Sequence, residues 1–395
     1  MRHICLAFLT FILMLPSRLA AQPAQTLPWI GVSYPEILPT SPASPETAEN
    51  AATDHLALLR DNGITAIRFV LPPTSTSLDN ASTCSKQSMR QSATALAATL
   101  KNLASHHMEA QVVIRLEADA LHDINLTASR LGSLLRETAS LYYRDSGKEP
   151  QAPTLPDWEI SLPLTANVDS MRNIVNVLSD SLRATAFYRH ILTAIHLDST
   201  RSETRDLTSK MVSTLSLLMT TMTDAVGFPL QPLEMKMVGR GSLFGGLAQL
   251  YIRLDTLIEE LQRLSALHDK PIYISQCTYP RDGFGTAPET SCMARQEFWT
   301  YILCKLKERA GTQGRIQGCS FGCYASAGPL EAVAESPAAD TATDTTIEAI
   351  GRNHCSDTYH IYPTDRQTLL LLQGYARSAE QAEEKPDASE AARNE

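Results

Sequence analysis

The chain has few aromatic residues, no excess of positive charge and, beyond its N-terminus, no long hydrophobic run. Aromatic side chains make up 6% of the 395 residues, and 34 Lys and Arg residues face 43 Asp and Glu residues. A net charge of −9 without Lys/Arg clusters argues against nucleic acid or an anionic membrane surface as a partner. No later stretch approaches the roughly 20 apolar residues of a transmembrane helix, so we do not expect an integral membrane protein.

Several catalytic and metal-binding motifs are also missing. The sequence contains neither a G-x-S-x-G nucleophile elbow nor an H-E-x-x-H metal motif. His190 and His196 fall on one predicted strand, which does not favour a catalytic triad. The glycine-rich segment Gly239–Gly246 lacks the Lys-Ser/Thr pair of a phosphate-binding loop, and this pattern indicates a loop before a helix. We therefore expect neither a metal ion nor a cofactor.

Residues 1–21 are typical of a secretory signal peptide. Arg2 and His3 precede an apolar run from Leu6 to Leu15, and Ala20 and Ala21 offer small residues for cleavage. This run is too short to span a membrane, and a buried N-terminal helix is the alternative interpretation. Cleavage would leave 32 basic and 43 acidic residues, a net charge of −11. We expect a secreted or periplasmic protein.

Seven of the eight cysteines would remain after cleavage, and six of these follow residue 270. In an exported protein, disulfides are a more common use of cysteine than metal binding. The sequence therefore predicts disulfides in the C-terminal third, with an odd cysteine left over and a pairing that the spacing does not reveal.

Strand-like and helix-like segments alternate along most of the chain. Eight such strands, joined by crossovers long enough to be right-handed, predict an α/β fold, a single-domain (β/α)8 TIM barrel. An open doubly wound sheet is the alternative, but the chain lacks the glycine-rich first turn of that fold. The predicted strands are residues 29–34, 64–70, 110–117, 158–164, 190–197, 233–238, 272–274 and 316–324.

The predicted barrel extends over residues 29–375, between the signal peptide and a C-terminal tail. Residues 376–395 are rich in Ala and Glu. Such a composition buries too little apolar surface to offset the entropy of ordering, and it predicts a disordered acidic tail.

Five segments resemble clan A (β/α)8-barrel glycoside hydrolases, in particular β-1,3-glucanase-like ones. Lys270–Gly283 is similar to their seventh strand, K-P-V-x-I-G-E-T-G-W/Y-P-x-x-G, in which Glu is the nucleophile. Asn62–Arg68 resembles their second strand, whose Arg supports that nucleophile. Trp158–Ile160 resembles the approach to the Asn-Glu pair that supplies the general acid. Gly31–Tyr34 and Tyr359–Tyr375 resemble the first strand and the closing segment.

Both catalytic positions of this family are replaced in the chain. The nucleophile position holds Gln276, and the Asn-Glu pair falls on Leu162 and Pro163. Retaining hydrolysis requires two carboxyl groups about 5–5.5 Å apart, one to protonate the leaving oxygen and one to attack the sugar. A neutral amide is a poor nucleophile and proline cannot donate a proton. The resemblance therefore implies a pseudoenzyme in which the family mechanism is lost.

The resemblance also implies a binding site on the C-terminal rim of the barrel, where such folds carry their function. Aromatic rings there could stack on sugar faces, although simple packing of the rim loops is the alternative. The candidate ligand-binding residues are Tyr34, Arg68, Glu117, Gln276, Tyr279 and Tyr324.

Three functions remain open. The first is an exported, non-catalytic glycoside-hydrolase-like barrel that recognises a glycan or acts as an interaction protein. The second is an active glycosidase that uses a relocated carboxylate pair such as Glu117 and Asp198. The third is a structural partner at the cell surface or in the periplasm.

Overall fold

A computed structural model describes most of the predicted barrel. The described residues are 29–38, 54–71, 86–116, 124–146, 154–164, 168–197, 207–232, 234–235, 237, 247–279, 293–310, 315–325 and 360–383. The predicted signal peptide and residues 384–395 lie outside these ranges.

Eight parallel strands form a closed barrel with helices between them. Each strand pairs with the next along the chain, and β1 also pairs with β8, which closes the barrel. A short ninth strand extends the sheet beside the end of β8. The strands are β1 (Trp29–Ser33), β2 (Ala66–Val70), β3 (Glu109–Arg115), β4 (Asp157–Pro163), β5 (Ile191–His196), β6 (Ala225–Leu230), β7 (Ile272–Cys277), β8 (Ile316–Tyr324) and β9 (His360–Ile361).

Eight described helices surround the barrel. They are α1 (54–61), α2 (Lys86–Ser105), α3 (Ile124–Ser146), α4 (Val168–Arg183), α5 (Leu207–Leu218), α6 (Leu247–His268), α7 (Met293–Ala310) and α8 (Arg366–Glu383). A short 3-10 turn, Pro35–Ile37, follows β1. This arrangement confirms the predicted single-domain (β/α)8 TIM barrel.

Most of the hydrophobic core lies between the barrel and its helices. Strand residues such as Ile67, Phe69 and Val112 belong to one continuous cluster with buried helix residues such as Leu100 and Leu131. Parallel strands buried on both faces are rich in β-branched residues for this reason. Alternate residues of each strand point into the barrel, so the size and polarity of their side chains determine the chemistry of the interior.

The N-terminal half of the barrel interior is filled by two aromatic rings that lie over glycines. A Cβ on Gly318 would come within 2.2 Å of the Trp29 ring, and a Cβ on Gly227 would come within 2.5 Å of the Tyr273 ring. The two rings lie 6.0 Å apart between centroids. Any larger residue at either glycine would displace a ring that closes this end of the barrel.

The predicted sixth strand was wrong. The prediction was Leu233–Val238, but the strand is Ala225–Leu230, earlier in the chain. Gly227 and Pro229 normally disfavour a central strand. Here Gly227 makes room for Tyr273, and Pro229 follows a register shift at Phe228, where the ladder is already irregular. The described residues after β6 form turns instead, with the Met235 amide bonded to the Gln231 carbonyl at 2.9 Å.

The C-terminal helix continues beyond the predicted end of the barrel. α8 extends to Glu383, so residues 376–383 are helical rather than part of a disordered tail. The extension has a packing partner, because Ala376 lies against Gly63. Gly63 ends α1 with a positive φ of 78°, the left-handed conformation that glycine adopts readily at a helix C-terminus.

No helix in the described part of the chain is both long and apolar enough to cross a membrane.

Candidate functional site

The two positions that the resemblance assigned to catalysis lie near the C-terminal ends of their strands. Pro163 is the last residue of β4 and is buried beside its register partner His196 on β5. Gln276 is half-buried, one residue before the end of β7, and pairs with Pro229 after the shift in register. Neither side chain carries a carboxyl group.

Glu159 lies inside the barrel, four residues before Pro163, and is held by two neighbouring strands. Its Oε1 accepts a hydrogen bond from Arg68 Nη2 at 2.6 Å, and its Oε2 accepts bonds from Arg68 Nε at 3.1 Å and Gln111 Nε2 at 2.7 Å. The Glu159 side chain is 0% exposed and that of Arg68 is 10% exposed. This carboxylate already has three donors and no contact with water, so it is not placed to protonate a leaving group at the rim.

The charges of this ion pair affect the neighbouring side chains. Burial favours a lower pKa for Arg68, but the carboxylate of Glu159 outweighs it and the pKa is raised above its ordinary value. Burial, reinforced by the negative charge of Glu159, raises the pKa of Tyr273 well above its usual range. Arg68 is thus charged and the Tyr273 hydroxyl protonated.

Two hydroxyl-bearing pairs lie between this ion pair and the rim. Ser33 on β1 and Ser320 on β8 have their Oγ atoms 3.5 Å apart. Ser161 on β4 has its Oγ 3.0 Å from Nδ1 of His196 on β5. In a closed barrel of eight strands, β1 and β8 lie opposite β4 and β5, so the two pairs face each other across the interior.

The candidate stacking residues are buried in the described structure. Tyr34 and Tyr324 pack edge to face with ring centroids 5.1 Å apart, and the Tyr324 hydroxyl is 2.8 Å from His55 Nδ1. Tyr279 is stacked on Phe298 with centroids 4.8 Å apart. All three tyrosines are at most 3% exposed. Their rings contact protein, as in the packing alternative, and offer no open face for a sugar in this conformation.

The fallback carboxylates are not among the described residues. Glu117 and Asp198, like Arg240 in the glycine-rich segment, lie outside the described residues. The strands themselves carry three carboxylates, Glu109 and Asp157 at the N-terminal end of the barrel and the ion-paired Glu159 in its interior. Of the eight barrel strands, two are followed on the rim side by a described carboxylate, namely Glu36 after β1 and Glu234 after β6.

Three described cysteines are free thiols, namely Cys277, Cys304 and Cys319. Cys277 and Cys319 are buried on adjacent strands, and burial together with the neighbouring Cys277 raises the pKa of Cys319 well above its usual range. The fourth described cysteine, Cys323 on β8, is disulfide-bonded. Cys84, Cys292 and Cys355 lie outside the described residues, so the pairing of the cysteines in the C-terminal third stays a prediction. No group of three His, Cys, Asp or Glu side chains within the described ranges could hold a metal ion.

Reasoning from sequence did not identify the interior network. Arg68 was expected to support a residue on β7, but its partner is Glu159 on β4. A signal was present, because Gln111, Glu159 and Ser161 are polar residues that alternate with apolar ones on central strands. On a strand buried on both faces, such residues must find partners inside the barrel.

No protein-family model matches the chain, and no curated protein does. Solved structures share its fold at low identity. A variant of a glycoside hydrolase family 5 mannosidase from Rhizomucor miehei is 13% identical, with a TM-score of 0.63 over 90% of this chain and 95% of that one. The cellulose synthase subunit Z (CcsZ) from Clostridioides difficile is 9% identical, with a TM-score of 0.53 over 87% of this chain and 99% of that one. The barrel is therefore glycoside-hydrolase-like in fold.

Proposed function

We propose that this protein is an exported, glycoside-hydrolase-like barrel that recognises carbohydrate without hydrolysing it. The observation that carries the proposal is the pair of residues at the ends of β4 and β7, Pro163 and Gln276. The family mechanism needs a carboxyl group at each position, about 5–5.5 Å from the other. Neither residue can be ionised to a nucleophile or donate the proton that the leaving group requires.

The carboxylate nearest to these positions along the strands does not replace the missing pair. Glu159 neutralises Arg68, and both of its oxygens accept hydrogen bonds in a site that water does not reach. Releasing it toward the rim would leave the Arg68 charge buried without a partner, which typically costs about 3–5 kcal/mol. Among the described residues, the interior thus keeps polar groups that suit binding, whereas the two strand ends lack the carboxyl pair of the family mechanism.

Export is part of the proposal because of residues 1–21. The charged start, the short apolar run and the small residues before Gln22 are the pattern of a cleavable signal peptide. Mass measurement of the protein purified from the culture medium or periplasm would detect the mature N-terminus.

The test of the function combines hydrolysis and binding. Wild-type protein is incubated with aryl glycosides, β-glucan and mannan, and in parallel is applied to a glycan array. We expect no turnover above the background rate but specific binding of at least one glycan. Gln276→Glu should not restore hydrolysis, because the general acid would still be missing.

The proposed function would be contradicted if the wild-type protein hydrolyses a substrate and a carboxylate variant abolishes that hydrolysis. Glu117→Gln, Asp198→Asn and Glu234→Gln would then identify the relocated pair. Absence of both turnover and glycan binding would favour a purely structural role at the cell surface or in the periplasm.

A further inference from the structure

Two of the free thiols lie next to each other in the layer between the barrel and its helices. Cys277 is the last residue of β7, and Cys319 lies near the middle of β8. The register pairs Ile274 with Cys319 and Cys277 with Phe321, so the two cysteines are diagonal neighbours on adjacent strands. Both residues are 0% exposed and belong to the apolar cluster shared with the helices. Their thiols are within hydrogen-bonding reach of each other, and together they form a buried dithiol.

The surroundings of this dithiol favour a disulfide over a metal ion. Metal binding requires thiolates, whereas burial, together with the neighbouring Cys277, raises the pKa of Cys319 well above its usual range. Within the described ranges, no cluster of three His, Cys, Asp or Glu side chains could complete the coordination of a metal. A disulfide carries no charge and needs only the two sulfur atoms, so it suits an apolar layer in which an ion would lose its hydration.

The sheet can adjust where these two strands meet. The cysteines are free thiols in this structure, so bond formation requires the end of β7 to move toward β8. The β7–β8 ladder shifts register between Ile272 and Ile274 and again between Ile274 and Cys277. Such irregularities interrupt the ladder of hydrogen bonds and bend the strand locally. The end of β7 is therefore held less rigidly than a strand in a regular ladder.

We propose that Cys277 and Cys319 are a redox modification site, which a low-molecular-weight disulfide converts from a dithiol into a disulfide that joins β7 to β8. Compartments outside the cytosol, where the signal-like N-terminus would direct this chain, maintain such an oxidising environment. The inference goes beyond the proposed carbohydrate recognition and does not depend on it.

The reaction is a thiol–disulfide exchange in two steps. The Cys277 thiol loses its proton and attacks one sulfur of the small disulfide, which forms a mixed disulfide and releases one small thiol. The Cys319 thiol then loses its proton and attacks the Cys277 sulfur, which releases the second small thiol. The dithiol loses two electrons and two protons, and the small disulfide takes up both. Because both thiols are buried, the exchange takes place during local opening at the end of β7.

The experiment exposes the folded protein, as purified, to glutathione buffers with an increasing oxidised fraction. Each sample is quenched in acid, unfolded, alkylated and analysed by peptide mass spectrometry. We expect the peptides linked through Cys277 and Cys319 to increase about tenfold from the most reducing to the most oxidising buffer, and to separate again when the buffer is reversed. Cys277→Ala should abolish the linked peptides. Cys304→Ala, at an exposed free thiol on α7, should leave their yield unchanged.

Circular dichroism verifies that each variant folds, and Cys319→Ala replaces Cys277→Ala if the latter does not. The site would be overturned if both cysteines stay fully alkylatable at every glutathione ratio. A stable mixed disulfide between glutathione and Cys277, or a link from either cysteine to a third one, would overturn the pairing. The glycan array tests carbohydrate recognition separately, so the failure of one proposal leaves the other standing.

Discussion

At the scale of single residues, the ion pair of Arg68 and Glu159 in the barrel interior stabilises the fold. Arg68 and Glu159 come from β2 and β4, and Gln111 on β3, between them, donates a third hydrogen bond. A bidentate guanidinium–carboxylate pair is a strong and directional contact. Because both charges are removed from water, each stabilises the barrel only while the other is present.

Glu159→Gln should therefore destabilise the protein by about 3 kcal/mol, because the Arg68 charge would stay buried beside a neutral amide. Urea unfolding monitored by circular dichroism measures this change. The double variant Arg68→Met/Glu159→Met should lose less free energy of unfolding than Arg68→Met and Glu159→Met lose in sum. Glu260→Gln on α6 breaks an exposed pair with Arg263 and should leave the midpoint unchanged. A midpoint for Glu159→Gln equal to that of the wild type would show that the pair contributes nothing.

At the scale of elements, one buried arginine on α7 fixes the end of the chain. Arg295 Nη1 donates to the His360 carbonyl at 2.6 Å, and its Nη2 donates to Asp365 Oδ2 at 2.9 Å. The same Asp365 oxygen accepts the Tyr362 amide at 3.1 Å. Arg295 thus connects α7 to β9 and to the start of α8, the elements that follow the long undescribed segment 326–359.

Arg295→Met should lower stability by about 3 kcal/mol, because it leaves Asp365 buried without its cation. Hydrogen exchange should show the largest loss of protection in β9 and α8, since those elements lose their attachment to α7. Arg263→Met, an exposed position on α6, serves as the control and should change neither measurement. Uniform loss of protection over the whole barrel would contradict a local attachment.

At the scale of the whole molecule, charged side chains contribute to stability at the N-terminal end of the barrel. The N-terminal end carries a basal charge cluster of Glu109, Asp157, Arg189 and His190, in which Arg189 bonds both carboxylates. His190 Nδ1 lies 3.0 Å from Asp157 Oδ1. These charged side chains lie at the end of the barrel opposite the rim, so their contribution to stability can be measured apart from binding at the rim.

The basal charge cluster predicts a stability optimum on the acid side of neutrality. Burial favours a higher pKa for Asp157, but hydrogen bonds from Arg189 and His190 outweigh it and lower the pKa. The hydrogen bond to Asp157 raises the pKa of His190 against the effect of burial. The contribution of Asp157 to stability is therefore lost as the pH falls below about 4. The contribution of His190 is lost as the pH rises above about 6.5.

Urea unfolding between pH 4 and 9 tests this dependence. In His190→Asn, the decline in the free energy of unfolding above about pH 6.5 should become smaller by no more than about 1 kcal/mol. The effect is small because the His190 side chain is half-exposed and water screens its pair with Asp157. His107→Asn, at an exposed position with a positive φ that Asn tolerates, should keep the wild-type profile. If the free energy of unfolding declines at alkaline pH in His190→Asn as it does in the wild type, other groups cause that decline.

The sequence alone determined the barrel, because strand-like and helix-like segments alternate eight times and each crossover is long enough for a parallel sheet. It also determined that Pro163 and Gln276 occupy the ends of their strands, since both follow directly from the strand assignments. Local patterns did not determine β6. Its Gly227 and Pro229 disfavour a strand in isolation. Only the tertiary structure explains them, Gly227 through the Tyr273 ring of the next strand and Pro229 through the register shift after Phe228.

Only the tertiary structure decided the partners of the polar residues. Arg68 and Glu159 are separated by 91 positions, and nothing local distinguishes a β4 partner from one on β7. Similarly, Tyr34 directly follows β1 and Tyr324 is the last residue of β8. The two residues are remote in sequence and meet only because β1 closes the barrel against β8. Periodicity specifies which face a side chain occupies, whereas barrel closure and strand register specify which side chain it meets there.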